Sequence, residues 1–367
     1  MDFTLSDEQQ AITDLAARIL GDKVTETRLR ELEAAGDLFD ADAWSAMADA
    51  GLLALSLPEA DGGSGFGVLE LALVCEQVGR HVAPVPFLAV AASGLVLGEF
   101  AGDDVRSRLL PGLAAGTTIV VPAVAEHGSY GAPVRPATTI APTGDGWALD
   151  GEKLFVPWVD RAQAVLVPAT TPDGAVVLAI VDPAAPGVSS DALVTTSGLP
   201  EWHLRFDGVA VGDVITDDEA VARLLDVLTV GVCALQTGVS EGALRLTATY
   251  TSERKQFGVP IATFQAVAHR AADAYIDVQG IRFTMYQAAW RLDEGWAAAE
   301  ELHVAKVWAA DGGHRVALAA QHLHGGIGVD TDYPLHRYFL WAKQLELTLG
   351  GATEHLRRLG SLLAQGS

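Results

Sequence analysis

With 367 residues, 50% of them hydrophobic and 19% charged, the chain can bury a sizeable core and form more than one domain. A net charge of −23 and a pI near 4.6 argue against nucleic-acid binding, which needs clustered Lys and Arg, and leave room only for a local basic pocket. Cys75 and Cys233 lie far apart in apolar runs and join no metal-spaced cluster, which predicts buried free thiols in a reducing compartment.

The opening Met1-Asp2-Phe3-Thr4-Leu5 has neither a basic start nor an apolar run, so no signal peptide is predicted. No run reads as long enough to span a membrane, and the expected location is cytoplasmic. From Ser6 to about Leu113 the pattern is helical. Ser6 and Gln9 have capping-box spacing, and Ile12, Leu15, Ala16, Ile19 and Leu20 follow at helical spacing. A short helix over 43–50 stops at Gly51. Leu57-Pro58 through Gly62-Gly63-Ser64-Gly65 reads as a loop, because Pro and small turn-forming residues cannot hold a helix. Residues 68–82 are apolar all round, predicting a buried helix stopped by Pro84 and Pro86.

From Thr117 the period changes. Short β-type runs at 119–121, 147–151, 164–167, 176–180 and 203–206, separated by Gly, Pro and Asp, predict a sandwich or barrel ending near Val214. Helical patterning then returns over 220–251, 264–292, 297–323 and 334–349 and lasts to Leu363. The predicted class is α+β: an N-terminal helical domain over 1–115, a β domain over 116–215, and a C-terminal four-helix bundle over 216–367.

Two stretches interrupt this helical region. His322-Leu323-His324-Gly325-Gly326-Ile327-Gly328 is a glycine-rich break whose free amides, ahead of a helix, can receive an anion such as a pyrophosphate. Tyr250-Thr251-Ser252-Glu253-Arg254-Lys255-Gln256-Phe257-Gly258-Val259-Pro260 closes a helix with two cations at its negative pole. Taken alone, each also suits a plain turn with no ligand.

Together with Phe3-Thr4-Leu5-Ser6, Glu8-Gln9, Leu57-Pro58 and Gly62-Gly63-Ser64-Gly65, and in this order on a helix–β–helix layout, these stretches make the whole chain resemble the acyl-CoA dehydrogenase family. The resemblance implies an FAD enzyme that oxidises the Cα–Cβ bond of an acyl-CoA thioester and passes electrons to an electron-accepting flavoprotein. A carboxylate of raised pKa removes the α-proton as hydride leaves Cβ for the flavin, with the thioester oxygen held by hydrogen bonds. It places Arg254, Gln256, Phe257, Gln265, His322, Gly325 and Gly326 at the cofactor, His322 standing where Gln is usual, and Asp226 along the acyl chain.

The chain departs from the family at the base. One family position for the catalytic Glu matches Gly350 and the other matches Leu228, and neither residue accepts a proton. Asp226 and Glu354 are the nearby carboxylates, half a turn to a turn away. In the middle domain, Ala125-Glu126-His127-Gly128-Ser129 and Phe155-Val156-Pro157 lack hydroxyl donors that relatives present to the flavin ring, and Ala352 replaces a third Thr. In the family, the retained Arg254 turn and Gly-Gly loop reach across to the neighbouring subunit's cofactor. The chain therefore resembles the base-lacking subunit of α2β2 acyl-CoA dehydrogenases of steroid side-chain degradation, a likeness that extends to Gly328–Tyr338. Its implied partner is a Glu-bearing homologue. The alternatives are a self-sufficient homotetramer with a displaced base, a non-catalytic acyl-CoA-binding protein, and a flavin oxidase or monooxygenase of the same fold.

Overall fold

The structure, a computed structural model, describes residues 3–129, 131–144 and 146–365; Met1 and Asp2 lie outside them. Helix α1 (Asp7–Lys23) starts on the capping box: the Ser6 hydroxyl accepts from the Gln9 amide, and the Gln9 side chain accepts from the Ser6 amide. Ile12, Ala16 and Leu20 then bury one stripe. Helix α2 (Glu26–Ala35) is capped by Thr25 and ends at Gly36, which is left-handed. The remaining early helices are α3 (Ala41–Asp49), α4 (Val68–Arg80), α5 (Phe87–Phe100) and α6 (Asp103–Ala114). Of these, α5 is apolar nearly all round and buried through Gly98.

The β region comprises β1 (Val120–Pro122), β2 (Thr139–Thr143), β3 (Gly146–Pro157), β4 (Ala164–Thr170), β5 (Val176–Val181), β6 (Val188–Leu193), β7 (Glu201–Val211) and β8 (Asp213–Ile215). They form one hydrogen-bonded sheet in the order β6-β7-β3-β2-β4-β5-β8, with β1 beside β4. Pairing is antiparallel except for β1 and β2 against β4. Strands β4 and β5 are buried almost throughout, which is why their unbroken apolar runs were legible. Edge strand β6, Val-Ser-Ser-Asp-Ala-Leu, is mostly exposed and carries no alternation, so its sequence predicts nothing.

Helix α7 (Glu219–Glu253) follows, then a ribbon of β9 (Lys255–Gln256) and β10 (Val259–Pro260) and helix α8 (Gln265–Asp293). The sequence expectation of no membrane-length apolar run needs correcting. Helix α7 is long and apolar enough by composition, but 72% of its most apolar window is buried inside the protein, as in a core helix. The expected single helix over 297–323 is also divided, into α9 (Ala299–Val307), a π-turn at Trp308–Gly312 and α10 (Gly313–His324). The wider turn seats the Trp308 ring on Gly280 and Gly313 on the Gln236 side chain, where a Cβ on either glycine would clash. Helices α11 (Leu335–Leu347) and α12 (Ala352–Gln365) end the described chain.

Packing groups the chain into two compact units. The first takes residues 1–40, 72–84 and 230–367; the second takes 41–71 and 85–229 and contains the sheet. Within the first, glycines Gly79 and Gly238 bring the backbones of α4 and α7 into contact, each facing a carbonyl of the other helix. Arg282 of α8 bonds both Glu76 of α4 (2.8 Å) and Glu241 of α7, tying three helices together. Buried Arg337 of α11 forks onto Glu33 (2.5 and 2.8 Å) and reaches Glu26 (2.8 Å), and the Tyr338 hydroxyl donates to the Arg80 carbonyl (3.0 Å). Within the second, Lys153 and Glu126 form a buried ion pair (2.6 Å), and Glu126 also accepts from the amides of Ala137 and Thr138.

Candidate functional site

The end of α7 turns into a hairpin with a two-residue loop. Gln256 pairs with Val259 and Lys255 with Pro260, leaving Phe257 and Gly258 at the tip. Both tip residues have positive φ, 53° and 82°, as a type I′ turn requires. Gly258 adopts this freely, whereas a left-handed phenylalanine costs about 1–2 kcal/mol. Phe257 is 93% exposed, and its ring meets Phe264 edge-on at 6.3 Å between centroids. Arg254, Lys255 and Gln256 are exposed as well. The Arg254 backbone is fixed from both sides, donating to the Tyr250 carbonyl and accepting from the Ile261 amide, each at 2.8 Å. Its guanidinium has no carboxylate partner among the described residues, in contrast to Arg282 and Arg337. Gln256 Nε2 donates to the Lys255 carbonyl (2.8 Å). Exposed Gln265 opens α8, whose N-cap, Phe264, supplies no side-chain cap to the first amides.

The glycine break follows α10. Gly325 has φ 64° and ψ −139°, and both it and Gly326 are exposed. A Cβ built on either would meet nothing within 4 Å, so this backbone faces open space in which a ligand can approach closely. Gly328 differs: it is buried, and its Cβ would run into the Gln321 carbonyl at 2.9 Å. His322 is exposed, while His324 points inward and is only 3% exposed. Its Nδ1–H donates to the Ala320 carbonyl (2.8 Å), and its Nε2 accepts from the Tyr333 hydroxyl (3.2 Å). The ring stacks on Tyr250 at 4.6 Å. Burial holds its pKa below the usual histidine range, against a smaller opposing effect of the Ala320 carbonyl.

The two positions that the family resemblance pairs with a catalytic Glu hold Leu228 and Gly350, neither of which accepts a proton. Leu228 is 6% exposed in an apolar stretch of α7. Gly350 is buried at φ 101°, directly after Leu349 at φ 60°, a conformation that excludes most side chains. Buried groups hold this loop. Lys306 Nζ donates to the carbonyls of Leu345 (3.2 Å) and Glu346 (3.1 Å), and His355 Nε2 donates to that of Leu349 (3.0 Å). His355 Nδ1 in turn accepts from His303 Nδ1 (3.1 Å), and burial pushes the His355 pKa down to about 4.

The two nearby carboxylates separate clearly. Glu354 is clamped by Arg357 and Arg358 at 2.8–3.0 Å, which lowers its pKa to about 2 and makes it a weaker base than an ordinary carboxylate. Asp226 goes the other way: burial raises its pKa to about 6, opposed by the Arg223 charge. The Arg223 fork itself is engaged by Glu99, with both contacts at 2.9 Å. In the sheet unit, Phe155 lies at a bulge of β3 with φ 52° and is 56% exposed, while Trp158, also left-handed, is buried at 4%.

The sequence reading singled out the residues of the Arg254 turn and the Gly-Gly loop but assigned nothing to His324, Lys306 or His355. The signal for His324 was its place between an exposed histidine and a glycine pair. For Lys306 and His355 no local signal exists, because their partners are backbone carbonyls.

The Arg254 hairpin and the Gly-Gly loop therefore offer a guanidinium with no carboxylate partner among the described residues, an exposed aromatic ring and open backbone, which together suit an anionic cofactor with stacked rings. Comparison with known proteins agrees. Residues 6–117 match the profile of the acyl-CoA dehydrogenase N-terminal domain and residues 219–361 that of the C-terminal domain. The chain is similar to acyl-CoA dehydrogenase FadE27 of Mycobacterium tuberculosis, 40% identical over 100% of this chain and 99% of the relative. FadE28 of the same organism is 36% identical over 98% of each. Among solved structures, a Tcur3481-Tcur3483 steroid ACAD variant matches with TM-score 0.94 at 43% identity, covering 99% of each chain. The ChsE4-ChsE5 complex from M. tuberculosis matches with TM-score 0.93 at 40% identity over the same shares. An open glycine pair, with an arginine that has no carboxylate partner among the described residues, fits the pyrophosphate of FAD, the family's cofactor. The chain belongs to the acyl-CoA dehydrogenase family.

Proposed function

We propose that this chain is the base-lacking subunit of a heteromeric acyl-CoA dehydrogenase that performs α,β-dehydrogenation of an acyl-CoA thioester, completing the flavin site of a Glu-bearing homologue. One observation carries the reading. Leu228 and Gly350, the latter at φ 101°, carry no carboxylate, while the Arg254 guanidinium is exposed with no carboxylate partner among the described residues and a Cβ on Gly325 or Gly326 would meet nothing within 4 Å. Arg254 and the open Gly325–Gly326 backbone would hold the diphosphate of the cofactor, and the exposed Phe257 ring would be available to its ring system. When bound, FAD supplies the hydride acceptor for Cβ. The α-proton goes to the partner's Glu, because Glu354 is held as a weaker base than an ordinary carboxylate and Leu228 and Gly350 have no acceptor.

Similarity to the Tcur3481-Tcur3483 steroid ACAD supports a bulky acyl group such as a steroid side chain as the substrate class, and similarity to the ChsE4-ChsE5 complex supports a two-component assembly. Electrons leave for an electron-accepting flavoprotein.

One observation favours a second reading, a self-sufficient enzyme: Asp226 has a pKa raised to about 6, within the range of a general base. The chain, purified alone and with a co-expressed Glu-bearing homologue, separates the two. Flavin content is measured, together with dye-linked turnover on acyl-CoAs from short chains to steroid thioesters. We expect turnover only from the pair, with one flavin per heterodimer. Turnover by the lone chain with one flavin per subunit, abolished by Asp226→Asn, would establish the second reading instead.

A further inference from the structure

We propose that α12 is a contact between identical chains: its leucine stripe packs on the same helix of a second copy of this chain. The inference goes beyond the proposed function and does not depend on it.

Along α12, Ala352, Leu356, Leu359 and Leu363 recur at spacings of four, three and four, which draws one apolar stripe down the helix. A surface helix ordinarily turns such a stripe into its own core. Here His355 is the helix's one buried residue, while Leu356 is 52% and Leu363 55% exposed. The helical wheel shows why. The helix docks by the side that carries His355, and Leu356 and Leu363 lie about 80–100° round from it, on the flank that the chain leaves uncovered.

The docked side is held firmly. His355 Nε2 donates to the Leu349 carbonyl (3.0 Å), and its Nδ1 accepts from His303 of α9 (3.1 Å). Glu354 ties Arg357 and Arg358 to the first turns. The stripe is therefore fixed before anything meets it, and little conformational entropy is left to lose on contact.

Three observations choose a second copy as the occupant. The alternation of four and three is the spacing by which one helix packs lengthwise on another, and the same stripe on two copies is complementary to itself about a two-fold axis. Charge points the same way. A chain of net charge −23 repels its own copy across acidic surfaces, whereas α12 carries two arginines and one glutamate, with Glu354 already engaged by both arginines. That same net charge opposes docking on an anionic lipid surface. Size sets the strength. A helix of 14 residues is about 21 Å long and about 10 Å wide, a footprint of roughly 200 Å² against about 800 Å² per partner in a standard interface. The contact is thus weak between two lone chains and acts as a second link between assemblies held elsewhere. None of the residues assigned to the homologue lies on α12, so two heterodimers would join through this chain into an assembly with two copies of each.

The test uses the full chain, alone and with its co-expressed homologue. Cys75 and Cys233 are buried, so Leu356→Cys places an accessible thiol on the stripe. With a short bismaleimide, the concentrated lone chain should give a product of two copies of this chain, lost when Leu363→Arg is added. In sedimentation, the complex should fall from two copies of each chain to one of each in the Leu356→Arg, Leu363→Arg double variant. Flavin content and melting temperature should stay unchanged, because both leucines are exposed in the single chain. Self-association of the lone double variant should weaken by at least about tenfold. The cysteine variant decides the matter should the arginine pair fail to fold. A Leu356→Cys cross-link to the homologue alone, or none at any concentration, overturns the inference. So does a wild-type complex with one copy of each chain, or an arginine variant that keeps the wild-type mass. A homologue that does not bind overturns the proposed function, and the cross-link and the association of the lone chain then still decide this inference.

Discussion

Replacing Arg254 by alanine separates the folding role of a residue from its binding role, because the structure leaves its guanidinium exposed and without a carboxylate partner among the described residues. Truncating an exposed, unpaired side chain changes stability by no more than about 0.5 kcal/mol, so the isolated chain should melt at its wild-type temperature. The cost should appear only where a phosphate meets the guanidinium. A hydrogen bond to a charged group contributes roughly 1.5–3 kcal/mol, which corresponds to about 10- to 150-fold in the FAD dissociation constant of the assembled complex. Arg254→Lys keeps the charge but loses the fork and should fall between the two. Because the turn is solvent-exposed, part of the effect should fade as salt is raised. The assay is flavin retained per heterodimer after gel filtration, with the dissociation constant from flavin fluorescence. An unchanged constant in Arg254→Ala, or a loss of flavin matched by an equal loss of stability in the lone chain, would refute the reasoning.

Three further outcomes follow from named geometry. Phe257→Gly removes a left-handed non-glycine residue and should leave the stability of the chain unchanged or up to about 1 kcal/mol higher, while flavin retention by the complex falls; a destabilised chain by thermal melting would show that the exposed ring packs in this subunit. Gly350→Glu places a side chain at φ 101° in a buried loop and should cost about 1–3 kcal/mol in denaturant unfolding without conferring activity on the lone chain. Wild-type stability or new turnover in that variant counts against the closed-loop account. Asp226→Asn tests the raised carboxyl: its folded pKa of about 6 lies above the usual value, so the folded state binds the proton more tightly and stability falls as pH rises through that window. The variant should gain about 1–2 kcal/mol at pH 7, after allowance for partial exposure, and nothing below about pH 4; a gain that persists in acid would exclude the carboxylate as its cause.

Much of this protein was legible in one dimension. The Ser6–Gln9 box, the switch from helical to strand period after Thr117, and the unbroken apolar runs of β4 and β5 all act through local geometry or burial on both faces, so residue order alone reveals them. That Leu228 and Gly350 accept no proton was equally legible, since neither residue does so whatever surrounds it. Edge strand β6 was not, because pairing on one side and solvent on the other demand no apolar pattern.

The tertiary structure decided the matters that depend on what lies beside a side chain. Asp226 and Glu354 are two carboxylates of similar standing in the sequence. Burial raises the first to about 6, and two guanidinium groups hold the second at about 2, so the fold moves two like groups in opposite directions. His322 and His324 stand two residues apart at the end of one helix. Tyr250, more than seventy positions earlier in the chain, stacks on His324, which is buried with both ring nitrogens hydrogen-bonded, while His322 stays exposed. A pKa and a tautomer are properties of surroundings, and the fold brings those surroundings from distant parts of the chain.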